Sequence, residues 1–187
     1  MKSTKAQDDA GAEYPAARGL RADRKEARDQ LTLVLSFFSR VDAKASALLA
    51  IDTGMLAVLT SKAPPVTTIS TVSYILAGVT AVTLAGSLFF LYRVAFPALK
   101  GEPSLIYFRT IAGMPETDFI DAFAAEEEDS RVKDLLGQVW RNSCILTAKF
   151  DALKRAFILM ALAVIPWGAT VALFSSQHTV IQTISTK

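Results

Sequence analysis

The sequence has very little of what metal proteins and most enzymes use. It contains one cysteine, Cys144, and one histidine, His178, in 187 residues. One cysteine excludes a disulfide within the chain, and the pair excludes the usual zinc site of four Cys or His ligands. A net charge of +2 is too small to favour nucleic acid binding. Glycine-rich phosphate loops, nucleophile elbows, HExxH and paired-cysteine motifs are missing too, so the sequence predicts no enzyme, metal site or cofactor.

Apolar residues are in excess. They make up 51% of the chain and charged residues 20%, against about 45–50% and 25% in an average soluble domain. Residues 72–96 carry a single charge, Arg93, and residues 156–175 carry none. Each run matches the roughly 20 apolar residues that cross the hydrocarbon core of a bilayer. We therefore predict a transmembrane helix over each run.

A third apolar run, residues 46–61, is shorter and contains Asp52. As a helix it rises only about 24 Å, so a buried core helix is the alternative to a span. Lys44 and Lys62 can extend its reach by snorkelling from its ends. The break at Ala63-Pro64-Pro65 favours a short turn, which pairs this run with residues 72–96 as a helical hairpin. We predict a span here as well.

Basic residues favour one orientation of these spans. They precede the first span and flank the region between the second and the third, whereas Lys62 and Lys187 are the only ones in the other two segments. Cytosolic segments next to spans carry an excess of Lys and Arg. The N-terminus and residues 97–155 are therefore predicted to be cytosolic, and the hairpin tip and the tail over 176–187 to be external.

Periodicity extends the first and last spans beyond the membrane. Apolar and a few polar residues recur at spacings of three and four between Leu31 and Leu56, and again between Leu135 and Leu159. This pattern is typical of helices that pack along one stripe. It predicts an amphipathic helix over 21–45 that continues into the first span, and a second long helix from about residue 130 to 175.

The remaining segments complete an all-α membrane protein. Residues 1–20 are predicted to be a disordered tail. Between the second span and the last helix, Pro97, Gly101 and Pro103 break the chain. A short helix or turn is expected over 105–112, and another helix over 115–128. The predicted fold is three transmembrane helices, with long first and last helices that extend into a cytosolic helical bundle, to which residues 97–155 contribute.

Both stripes contain polar residues where packed helices usually have leucine or isoleucine. If the two long helices pack together, Asp42 and Lys149 are expected to meet near the membrane surface. One interpretation is that these residues only fix the register of the helices. The other is an anion site in which amides read a base edge and a Lys or Arg neutralises a phosphate. The candidate ligand-binding residues are Arg40, Asp42, Lys44, Gln138, Asn142 and Lys149.

Two residues inside the spans are candidates for a gating role. An ionisable side chain at membrane depth costs about 2.5–3.5 kcal/mol on insertion. Asp52 therefore indicates either a pore-lining or gating function, or a structural position with Ser46 or Thr53 as its hydrogen-bond partner. Pro166 is predicted to kink the last span.

Four segments of the sequence form an ordered set of motifs. Residues 37–54, FFSRVDAKASALLAIDTG, are followed by a span, a break and a second span. LIYFRTIA over 105–112, DLLGQVW over 134–140 and KFDALKRA over 149–156 precede the last span. In their order and spacing these segments resemble the transmembrane effectors of bacterial Pycsar antiphage systems. The resemblance covers roughly residues 25–175, leaving only the two tails outside.

The resemblance implies an effector of the bacterial inner membrane. A partner pyrimidine cyclase would make a cyclic pyrimidine mononucleotide, cCMP or cUMP, during phage infection, and the activated effector would impair the membrane in an abortive infection. The motif positions carried over from the family are Arg40, Asp42, Lys44, Asp52, Gln138 and Lys149. We also expect a homo-oligomer, because three spans in one subunit cannot enclose a conducting path.

Two other functions stay open at this point. A related effector of the SLATT type would sense a cyclic oligonucleotide instead of a mononucleotide. A structural or assembly protein would use its cytosolic stalk to bind a protein partner, and it should be harmless when it is overexpressed with any nucleotide.

Overall fold

The computed structural model describes residues 15–65, 69–96 and 104–185. Side chains are described over 23–65, 69–96 and 104–177. These ranges contain five α-helices and no strand, so the predicted all-α class is confirmed for the described part of the chain. The helices are α1 (Pro15–Ser61), α2 (Thr71–Ala95), α3 (Phe108–Ala112), α4 (Glu116–Ala125) and α5 (Glu128–Ser185). The breaks predicted at Pro97, Gly101 and Pro103 lie outside the described residues.

Helix α1 is a single helix of 47 residues. It begins at Pro15, six residues before the start predicted at 21. Proline suits the first position of a helix, because its fixed φ is helical and its missing N–H would be unpaired there, and the alanines at 16 and 17 favour helix. Residues 15–20 of the predicted tail are therefore helical, and residues 1–14 lie outside the described part. The helix ends at Ser61, shortly before Pro64 disfavours the helical conformation of Ala63.

Helix α2 follows the predicted second span closely. It covers 25 residues, Thr71–Ala95, against the prediction of 72–96. Ser70 caps its N-terminus, since the Ser70 hydroxyl accepts a hydrogen bond from the Ser73 amide at 3.2 Å. The start of the helix is thus fixed by a side chain on the residue before it.

Helix α5 is longer than predicted at both ends. It begins at Glu128, where acidic residues in the first turn suit the positive end of the helix dipole. It ends at Ser185, ten residues beyond the predicted end of the third span. No proline or glycine follows Gly168, so no breaker stops the helix at 175. Pro166 lies inside α5 without ending it, and the kink there stays a prediction.

Three of the helices, α1, α2 and α5, are long and apolar enough to cross a membrane. Their apolar windows lie in Asp23–Ser61, Thr71–Ala95 and Glu128–Gln177. The expectation of three membrane-crossing helices therefore fits the structure, including the short run around Asp52.

The chain divides into two compact units. We call Met1–Phe37 with Leu99–Leu146 the head unit, and Phe38–Ala98 with Thr147–Lys187 the span unit. In the head unit, α3 and α4 accompany parts of α1 and α5, and the Arg24 guanidinium lies 3.1 Å from the Glu128 carboxylate. In the span unit, parts of α1 and α5 and the whole of α2 enclose an apolar core that includes Val41, Leu84, Val94, Ala156 and Ala163.

Candidate functional site

The predicted contact between Asp42 and Lys149 is present in the span unit. The Lys149 Nζ atom lies 2.7 Å from Oδ1 of Asp42 and joins α5 to α1. The Lys149 side chain is 7% exposed, whereas that of Asp42 is 52% exposed. The ammonium also lies 5.4 Å from the centre of the Phe38 ring, within cation–π range. An enclosed cation needs such partners, because removing an unpaired charge from water is costly.

A groove of about 500 Å³ adjoins this ion pair. Its volume lies in the range of small-molecule sites, about 300–1,000 Å³. One wall is a single face of α1. Its lining residues are at positions 42, 45, 46 and 49, which share one face of a helix. The other wall comes from the second half of α2. The lining residues are Asp42, Ala45, Ser46, Leu49, Leu88, Leu91, Tyr92, Val94, Ala95, Phe96 and Lys149.

The other two candidate cations lie outside the groove. Arg40 and Lys44 are exposed residues of α1, four positions apart and hence on one face of the helix. Neither lines the groove. The three predicted cations therefore differ in kind, because Lys149 is enclosed and Arg40 and Lys44 are open to solvent.

The two candidate amides belong to a hydrogen-bond network in the head unit. The Gln138 amide donates to the Ser104 hydroxyl at 2.9 Å, and that hydroxyl donates to Oδ2 of Asp134 at 2.7 Å. The Ser104 hydroxyl also accepts the amide of Ile106 at 3.1 Å. One donated and two accepted bonds exhaust the capacity of a hydroxyl. Asn142 donates to the carbonyl oxygen of Gln138 in its own helix at 2.8 Å.

The grouping of these residues into one ligand site stays a prediction. Asp42 and Lys149 do contact each other, but Gln138 and Asn142 bond within the head unit. Ser104 and Asp134 were not predicted. Asp134 could have been found, because it precedes Gln138 by four positions and so shares its helix face. Nothing in the pattern around Ser104 indicates its role.

Asp52 joins the three long helices of the span unit. Its side chain is fully buried, and its Oδ2 atom accepts a hydrogen bond from the Ser87 hydroxyl of α2 at 2.6 Å. The same hydroxyl lies 3.1 Å from the carbonyl oxygen of Ala156 in α5. Oδ1 of Asp52 has no hydrogen-bond partner among the described residues.

The hydrogen-bond partners that the sequence suggested for Asp52, Ser46 and Thr53, were wrong. The hydroxyls of Ser46 and Thr53 bond to the backbone carbonyls of Asp42 and Leu49 in their own helix, at 2.9 and 2.8 Å. Ser and Thr often bond back to the preceding turn in this way. The hydroxyl that reaches Asp52 therefore comes from another helix.

Pro166 precedes a second contact between the long helices. The indole N–H of Trp167 donates to the carbonyl oxygen of Met55 in α1 at 2.9 Å. The Thr170 hydroxyl donates to the carbonyl oxygen of Pro166 at 2.7 Å. Trp167 thus has a packing role in the span unit, and the gating role of Pro166 stays a prediction.

Comparison with known proteins gives one result. A family model described as the Pycsar effector protein domain matches residues 26–176. This range covers most of the chain and contains all eight candidate residues. The chain has no significant match among curated proteins or among solved structures. The resemblance found on the four segments is confirmed, and the chain belongs to the Pycsar effector family.

Proposed function

We propose that this chain is an antiphage defence effector of the bacterial inner membrane that a cyclic pyrimidine mononucleotide switches on. A partner pyrimidine cyclase supplies cCMP or cUMP during infection, and the activated effector impairs the membrane so that the infected cell stops supporting the phage. Family membership supports the role as an effector. The three long apolar helices support action at the membrane.

The observation that carries the switch is the ion pair between Asp42 and Lys149. It joins α1 to α5 just before their apolar runs begin. With the predicted orientation, this end of the span unit faces the cytosol, where the cyclase product is made. A ligand that weakens the pair changes the packing of two helices that enter the membrane.

The exposed cations of α1 are the phosphate ligands in this proposal. A cyclic mononucleotide carries one negative charge on its phosphate. Lys149 is enclosed, whereas Arg40 and Lys44 are exposed on one helix face. A charge-assisted hydrogen bond from either residue neutralises the phosphate. We propose separately that Asn142 contacts the base of the nucleotide, and the variant Asn142→Ala tests this contact.

Binding at Arg40 and Lys44 changes the electrostatics around Asp42. Arg40 and Lys44 lie two positions to either side of Asp42, so the phosphate binds on another face of α1 and acts on Asp42 through the electrostatic field and not by contact. In this proposal the added negative charge destabilises the Asp42 carboxylate, and the ion pair weakens when the ligand is bound. A ligand shifts an equilibrium only through its different affinity for the two states, and this change in the field supplies the difference.

The test is calorimetric titration of the purified full-length chain in detergent with cCMP, cUMP, cAMP and cGMP. For the double variant Arg40→Gln with Lys44→Gln we expect about a tenfold to hundredfold loss of affinity, since a hydrogen bond to a charged group contributes about 1.5–3 kcal/mol. The double variant Lys25→Gln with Arg28→Gln removes two exposed charges elsewhere on α1 and is the matched control. Asn142→Ala tests the base contact.

Two outcomes decide the proposal. If the Arg40 and Lys44 variant keeps wild-type affinity, the phosphate binds elsewhere. If none of the four nucleotides binds, the activating ligand is of another class. Dye entry into cells that express the chain and receive the nucleotide reports membrane damage, and it should fall with the affinity.

The active form is proposed to be a homo-oligomer. Three helices of one chain are too few to enclose a conducting path, so copies must combine if the damage is a pore. Native mass spectrometry of the full chain, with and without cCMP or cUMP, measures this directly. A monomer under both conditions would contradict the oligomer.

A further inference from the structure

The groove next to Asp42 and Lys149 changes in polarity along its length. Leu49 of α1 and Leu88 of α2 lie at one end, and Asp42 and Ser46 lie towards the other. The polar end coincides with the start of the apolar run of α1 and with the end of α2, which Phe96 follows. In a bilayer the groove therefore runs from the headgroup level into the hydrocarbon, along the same polarity gradient as a phospholipid.

The accessible charge at the polar end is negative. Lys149 is 7% exposed, and its ammonium is occupied by Asp42 and by the Phe38 ring. Asp42 is 52% exposed, and Lys149 contacts its Oδ1 atom. Both side chains line the groove, but the Asp42 carboxylate is the more exposed of the two and is the charge that an entering molecule meets first. The charge complementary to this end is a cation.

We propose that the groove binds a phospholipid with a primary-amine headgroup, phosphatidylethanolamine. Its ammonium donates to the Asp42 carboxylate, and one acyl chain lies along the wall formed by Leu49, Leu88 and Leu91. Hydrogen bonds to an ionised acceptor are about twice as strong as those between neutral groups. The quaternary amine of phosphatidylcholine carries the same charge but has no N–H to donate.

The headgroup decides the selectivity of this site. Lipid tails are as apolar as leucine side chains, so an acyl chain gains little on moving from the bilayer into the groove. Lipids with identical chains then differ only in what their headgroups find at Asp42. An anionic phosphatidylglycerol meets the exposed carboxylate and is disfavoured.

The experiment is native mass spectrometry of the full-length chain in detergent, without nucleotide. Palmitoyl-oleoyl phosphatidylethanolamine, phosphatidylglycerol and phosphatidylcholine are added in equal amounts, so their acyl chains are identical. We expect the phosphatidylethanolamine adduct to dominate. In Asp42→Asn we expect at least about a tenfold loss of this adduct relative to the other two. Asp151→Asn removes an exposed carboxylate of α5 outside the groove and should keep the wild-type order.

A second variant leaves the ion pair in place. Leu88→Trp fills the apolar end of the groove, and it should reduce the phosphatidylethanolamine adduct even if Asp42→Asn is too unstable to purify. Equal retention of the three lipids by the wild type would overturn the proposal, as would an unchanged preference in Leu88→Trp or in a folded Asp42→Asn. A dimer that Leu88→Trp abolishes, with no lipid preference, would show that a second copy fills the groove and would also overturn it.

The proposal of a lipid site and the proposal of a nucleotide switch can be refuted independently of each other. The lipid measurement contains no nucleotide, and the calorimetric titration can be carried out in detergent without added phospholipid. Loss of headgroup selectivity therefore leaves the proposed activation untouched, and a chain that binds no cyclic nucleotide can still show the lipid preference.

Discussion

The two ends of the Asp42–Lys149 ion pair should respond differently to mutation. Lys149→Met removes the charge from the enclosed end and leaves a carboxylate that is about half exposed. Water can then solvate Asp42, so the free energy of unfolding should fall only by what a surface ion pair contributes, about 0–1 kcal/mol. The methionine side chain also fills most of the volume of the lysine stem.

Asp42→Asn does the reverse and should cost more. It leaves the Lys149 ammonium without a carboxylate partner on a side chain that is only 7% exposed. Removing one partner of a fully buried pair costs about 3–5 kcal/mol. Because water can approach from the Asp42 side and the asparagine oxygen still accepts one hydrogen bond, we expect about 2–3 kcal/mol here. The double variant Asp42→Asn with Lys149→Met should be more stable than Asp42→Asn alone.

The assay is reversible unfolding of the purified chain by sodium dodecyl sulfate, followed by circular dichroism. Lys154→Met is the matched control, because Lys154 is an exposed lysine of the same helix, and an exposed substitution of this kind usually changes stability by less than about 0.5 kcal/mol. Equal losses in the two single variants, or a larger loss in Lys149→Met, would refute the reasoning from exposure.

Three further predictions follow from the described contacts. Ser87→Ala should destabilise the chain by about 1–3 kcal/mol, because it removes the hydroxyl that bonds to the buried Asp52; an unchanged unfolding midpoint would contradict this. Ser104→Ala should speed hydrogen exchange over residues 105–112, since the Ser104 hydroxyl holds Ile106 and Gln138; unchanged protection would argue against that role. In a Cys144→Ser background, cysteines at Ser70→Cys and Val180→Cys should react with an impermeant maleimide in intact cells; labelling only after lysis would reverse the predicted topology.

The helices that cross the membrane were predictable from composition, but their ends were less so. The run 72–96 has a single charge, Arg93, and no proline, and the two ends of α2 each lie within one residue of the predicted ends. The end of α1 at Ser61 agrees with the predicted span 46–61, whereas the start of α1 and the end of α5 were missed because their flanks are alanine-rich or polar. Hydropathy marks where a helix is apolar and does not mark where it stops, so α5 continues to Ser185 through a polar segment.

Side-chain partners were predictable only where two helices carry a matching pattern. The three–four spacing of α1 and α5 predicted the contact between Asp42 and Lys149. Helix α2 is apolar on nearly every face and carries several Ser and Thr residues, so its sequence does not fix its register against α1. The contact of Ser87 with Asp52 therefore depends on tertiary packing and needed the structure.

Accessibility separates the roles of the candidate cations, and it cannot be obtained from spacing. In the sequence, Arg40, Lys44 and Lys149 are three equivalent ways to neutralise a phosphate. In the structure, Lys149 is enclosed by Asp42 and Phe38, so its charge holds α1 to α5 and is not available to a ligand without breaking that contact. A phosphate that binds first at exposed residues of α1 can then act on the pair, because the energy that holds the pair is electrostatic and a nearby anion reduces it.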